Sequence, residues 1–144
     1  MAFVGNSLPR RCGIATFTTD LQQAIAANGA IFDTTIVAMT DEGRHYDYPP
    51  VVRFQVQEDS LGGYERAAHF LNTEAFDVVS LQHEFGIFGG DAGGHIMTLL
   101  AGLAMPIVTT LHTVLAQPSP VQRRVLREIA EVSTNVVVMA EKGR

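Results

Sequence analysis

The chain has 144 residues, a formal net charge of -5, 47% hydrophobic and 17% charged residues. That length suits one domain able to bury roughly 70% of its unfolded surface, and the acidic balance excludes a non-specific nucleic-acid binder, which needs a basic footprint. One cysteine, Cys12, excludes an internal disulfide and points to a reduced, cytoplasmic compartment.

The elements are predicted in chain order as follows. Ala2 to Gly5 forms a short strand, and Asn6 to Cys12 a loop holding Pro9, Arg10 and Arg11. A helix starts near Gly13, with Ile14, Phe17, Leu21 and Ile25 on one face, and ends at Asn28-Gly29. Thr34 to Met39 is the second strand, Asp41 to Pro50 a polar loop. Val52, Phe54 and Val56 alternate with polar residues as in a half-exposed edge strand. A helix runs through Tyr64, Ala67, Ala68 and Leu71. The apolar run Val78 to Leu81 is a buried strand, followed by glycines and a helix from about Asp91 to Ala104 facing inward with Ile96, Leu99, Leu100 and Leu103. Pro106 to Leu111 is another strand. Ser119, Pro120 and Gln122 announce a capped helix burying Val121, Val125, Ile129 and Val132. Asn135 to Ala140 closes the series. Strands alternating with helices predict an α/β fold: a doubly wound, Rossmann-like, mainly parallel sheet with helices on both faces.

Ligands of open α/β sheets bind outside the carboxyl ends of the strands, so those ends supply the candidate site. His83 and Glu84 end the Val78 strand, in place for acid–base work or for hydrogen bonds to a polar substrate. Gly86, Gly89 and Gly90 then permit an irregular loop, and Phe85 and Phe88 are either a ligand wall or pins to the core. His112 ends the next strand. Near Gly13 the free N–H groups of a helix start, with Arg10 and Arg11 beside them, form a candidate anion site. An ordinary loop with solvated arginines is the competing reading. The run Arg123, Arg124, Arg127, Glu128, Glu131 is a solvated helix face, and His45, His69 and His95 are structural or exposed. No dinucleotide fingerprint, Walker sequence, nucleophile elbow or metal-ligand spacing occurs. No apolar segment approaches the ~20 residues of a membrane span, and the first residues lack a signal-peptide pattern.

Three segments together resemble the N-terminal half of a retaining GT-B glycosyltransferase of family 4: Pro9 to Phe17, Asp77 to Gly90 and Val108 to Leu115. The resemblance implies that residues 1–144 are the acceptor-side domain of a longer two-domain protein and inactive alone. It implies transfer of a sugar from a nucleotide-sugar donor to an unknown acceptor, without metal or cofactor. His112 would be the catalytic group, orienting the donor sugar. Gly13, Arg10 and Arg11 would meet a phosphate, and His83, Glu84 and Gly86 would line the crevice. The family often has paired glycines where this chain has Cys12-Gly13. A non-catalytic nucleotide or sugar-phosphate binding domain is the alternative, a sugar-nucleotide epimerase a weaker one, and membrane association stays open.

Overall fold

A computed structural model describes residues 1–28 and 33–139. Six strands, β1 (Ala2–Gly5), β2 (Thr35–Thr40), β3 (Val52–Gln57), β4 (Val79–His83), β5 (Ile107–Leu111) and β6 (Asn135–Val138), form one sheet in the order β3-β2-β1-β4-β5-β6. Every pairing is parallel. The central strands are buried along their whole length, as a parallel sheet covered on both sides requires. The chain winds one way from β1 to β3 and the other way from β4 to β6. The switch point therefore lies between β1 and β4, where the α/β rule puts a ligand crevice.

Helix α1 (Gly13–Ala27) turns Leu21 and Ile25 onto Phe3, Ile36 and Ala38, one face of the sheet. Helices α2 (Leu61–Thr73), α3 (Ile96–Leu100) and α4 (Pro120–Val132) bury Tyr64, Leu71, Ile96, Leu99, Val125 and Ile129 against Val4, Val37, Met39, Val79 and Leu81, the other face. Right-handed crossovers demand this split, because the leftward β1–β2 connection and the rightward ones must cross on opposite sides. The doubly wound expectation is met. The capping box on α4 forms as read, Ser119 Oγ accepting from Gln122 N and the Gln122 side chain accepting from Ser119 N.

Two elements depart from expectation. The helix expected from Asp91 to Ala104 is a 3₁₀ turn at Asp91–Gly93 followed by α3 over only Ile96–Leu100. Gly93 has φ 74°, a left-handed conformation that breaks a helix, and glycine itself weakens one. At the far end Asn72 stops the helix by donating to Gly102 O (2.7 Å) and accepting from Ala104 N (2.9 Å). On α4, Val125 and Ile129 are buried but Val132, in the last turn, is 38% exposed. The predicted helix stop at Gly29 and the last strand residue Ala140 lie outside the described residues.

Candidate functional site

The rim at the switch point is built from the loop after β1, the start of α1 and the ends of β2, β4 and β5. Buried Asn6 organises the first loop: its Nδ2 donates to Cys12 Sγ (3.3 Å) and its Oδ1 accepts from Arg10 Nη1 (2.8 Å). Cys12 is the N-cap of α1, its Sγ also accepting from Ala15 N at 3.4 Å. Arg10 is committed to the protein, paired with Asp41 and bonded to Asn6. Tyr46 in turn donates to Asp41 Oδ2 (2.7 Å), which raises the tyrosine's own pKa. Between these loops lies an open cleft of about 730 Å³, lined by Arg10, Arg11, Cys12, Asp41, Arg44 and Tyr46 among others. Arg11 and Gly13 are exposed, and no atom lies within 4 Å of where a Gly13 side chain would start. The first turn of α1 thus stays open to a ligand.

On the same face stands His112, just past β5. Its ring meets Phe17 edge-on at 4.7 Å, and Phe17 lies one helical turn beyond Gly13. Its Nε2 is 3.0 Å from Gln82 Oε1. Partial burial pushes the His112 pKa below the ordinary histidine value, with the Glu84 carboxylate acting against that shift. Glu84 is not a free carboxylate. It accepts from Phe85 N (3.0 Å) and from the Thr113 hydroxyl, and so straps the end of β4 to the segment after β5.

His83 corrects the expectation of a second rim histidine. Its side chain has 0% exposure, neither ring nitrogen has a partner, and Phe85 (5.1 Å) and Phe88 (5.9 Å) enclose it. Desolvation drives its pKa down to about 4, against the opposing pull of Glu84. The two aromatics close the core over it and form no ligand wall. Gly86 sits exposed in the 3₁₀ turn Phe85–Ile87 with nothing within 4 Å of a Cβ placed there. Its position needs no glycine. The loop does need Gly89 and Gly90: a Cβ on Gly89 would lie 2.0 Å from Glu58 O, and Gly90 has φ 77°. The Gly89 N–H donates to that same carbonyl (2.9 Å) and to Tyr64 Oη (3.1 Å), pinning the loop to the α2 side of the sheet.

The structure therefore sets His112 against Phe17, one helical turn beyond Gly13, leaves Arg11 exposed at the cleft, ties up Arg10 and Glu84, and buries His83 on the opposite face. Asn6, Gln82 and Asp41 went unread. Gln82 left a trace, being a polar residue inside an apolar strand run, where an unpaired polar group is costly. Among the described residues no group of three or more His, Cys, Asp or Glu could hold a metal ion.

No family model and no curated protein matches the sequence. Among solved structures the fold matches an isochorismatase-like hydrolase from Alkaliphilus metalliredigens, with a TM-score of 0.53 and 15% identity over 94% of this chain and 92% of that one. This likeness carries the six-stranded α/β fold. It also corrects the glycosyltransferase expectation: the neighbour is a hydrolase, and neither the GT-B half-domain nor the transferase class finds support, nor does the non-catalytic binding domain. The features that suggested transfer, a glycine at the first helix start and histidines at strand ends, mark where a sheet wound in this order binds ligands, and such a fold hosts many chemistries. Among the described residues no helix is long and apolar enough to cross a membrane.

Proposed function

We propose that the rim over α1 is the active site of a hydrolase acting on a small anionic substrate. The observation that carries this reading is the placement of His112, half-buried and edge-on to Phe17, which lies one helical turn from the open amino end of α1. The Ala15 N–H is taken by Cys12 Sγ and the Thr16 N–H by Cys12 O, which leaves those of Gly13 and Ile14 for the substrate's negative group. Exposed Arg11 adds positive charge at the same edge, while Arg10, held by Asp41, shapes the wall. His112, neutral at pH 7 because burial lowers its pKa, accepts a proton from an attacking water and returns it to the leaving group. The hydrolase neighbour supports hydrolysis as the reaction class.

A second reading has its own observation. Cys12 Sγ receives hydrogen bonds from Asn6 and Ala15 at a helix start on the cleft wall, a placement that would make Cys12 the nucleophile. A reduced, cytoplasmic setting suits either reading. The test is a panel of small anionic esters and amides, read by product release. Hydrolysis lost in His112→Ala but kept in Cys12→Ser supports activated water, and the reverse supports the thiol. No turnover of any substrate above buffer refutes both.

A further inference from the structure

Gln82 lies on β4 with its side chain on the α1 face, wholly buried, and Ser80, two residues back on that face, is nearly so. Its Nε2 donates to Ser80 Oγ at 2.9 Å, which turns the amide carbonyl towards His112. That carbonyl oxygen stands 3.0 Å from His112 Nε2. A carbonyl only accepts, so the proton of a neutral imidazole is drawn to Nε2 and the lone pair is left on Nδ1. Nδ1 has no protein partner among the described residues and is not sealed from solvent. Two further contacts remove freedom from the arrangement. The edge-on Phe17 ring walls the imidazole on one side. Gly5 admits the stem of Gln82, since a Cβ on residue 5 would lie 3.0 Å from Gln82 Cβ.

We infer that Gln82 is a positioning residue that holds His112 in a single tautomer, with the proton on Nε2 and the bare Nδ1 presented to the rim as the proton acceptor. The use of that lone pair in hydrolysis rests on the function proposed above; the tautomer stands without it. The proton balance is simple. Nδ1 takes one proton from water as the water oxygen bonds to the substrate, and the imidazolium returns it to the departing group, while Nε2–H stays on Gln82 throughout.

Nitrogen-15 NMR of the histidine rings in the 144-residue chain tests this, with His112→Asn to assign the signals. The wild type should show one proton-bearing and one bare nitrogen for His112, the bare one being Nδ1. Gln82→Ala should collapse that pattern into an exchange average. Gln82→Glu keeps an acceptor, so it should keep the tautomer while raising the His112 pKa by about 1 to 3 units. On a substrate that is turned over, Gln82→Ala should lower kcat about 10- to 100-fold with KM little changed, and Gln82→Glu should restore part of it. A proton on Nδ1 in the wild type overturns the inference, and that spectrum needs no variant to fold. An unchanged ring pattern in Gln82→Ala overturns it too. Fixed Nε2–H in the wild type, lost in Gln82→Ala, upholds the tautomer even where no substrate is hydrolysed, an outcome that would defeat only the function.

Discussion

His83 and His112 end neighbouring strands and meet opposite surroundings. The main chain joins them directly, His112 N donating to His83 O at 3.0 Å. Yet β4 and β5 pair His83 with Leu111, so His112 is one residue out of step, and successive side chains in a strand point to opposite faces. His112 falls on the α1 face with a hydrogen-bond partner and access to solvent. His83 falls on the face covered by α2, α3 and α4, enclosed by phenylalanines without a partner. One residue of register separates a solvent-accessible histidine from a sealed one, and sequence position at a strand end reads the same for both.

The comparison breaks most sharply on removal of each ring. His112→Ala should reduce kcat for hydrolysis about 10²- to 10⁴-fold, the usual share of a positioned acid–base group, with little change in melting temperature. The acid limb of the wild-type profile should lie below the ordinary histidine pKa, because burial lowers it in the protein. Activity of His112→Ala at the wild-type rate would remove it from the chemistry.

His83 should show its effect in stability and leave turnover alone. Its pKa is about 4 in the folded chain and 6.5 as the ordinary value, so between these the unfolded chain binds the proton more readily. The stability it contributes is therefore complete above pH 6.5 and drains away as pH falls towards 4, by about 3 kcal/mol at most. His83→Leu should flatten that part of the curve. At pH 7 it should cost little, because loss of the contact with Phe88 is offset by removal of two unsatisfied nitrogens. Urea midpoints of both proteins from pH 7 to pH 4 make the measurement, and parallel curves would show that His83 is not held neutral.

Gly89→Ala attacks the seal itself. The new methyl would lie 2.0 Å from Glu58 O and 2.7 Å from His95 Nδ1, so the loop must lift. A loss of about 1–3 kcal/mol follows from such overpacking. Water admitted to His83 should also bring its pKa back towards 6.5 and shrink the acid-dependent difference. A stable variant with an unchanged His83 titration would show that another contact closes this face.

How much of this was legible follows from which signals are local. The strands and α1 announced themselves through apolar runs and helical spacing, and α4 through Ser119, Pro120 and Gln122, because those patterns act within a few residues. The broken helix after Asp91 was legible only in part, since the Asn72 clamp that ends it comes from 30 residues away. Strand ends marked the rim. Which face each side chain took depended on register between strands, a tertiary property, and the partners Gln82 and Asp41 arrive from separate strands and loops.

Arg10 and Arg11 repeat the lesson of the histidines at smaller energy. They are consecutive, equally charged, and identical in what the sequence says of them. Arg10 holds Asp41 and Asn6, with its side chain 14% exposed, whereas Arg11 is exposed at the cleft. Arg10→Ala should therefore act on the fold, losing about 1 kcal/mol as Asp41 and Asn6 lose a charged partner, and should loosen the first loop. Arg11→Ala should leave the melting temperature unchanged and raise KM for an anionic substrate a few-fold with kcat preserved. An exposed charge contributes roughly 0.2–1 kcal/mol to such an attraction, and the same charge in both ground and transition state changes binding alone. The KM difference should fade as salt rises to ~1 M, where the screening length drops to ~3 Å. A KM increase that persists at high salt would assign Arg11 a direct, desolvated bond to the substrate, and an unchanged KM at low salt would move the anion site away from this end of α1.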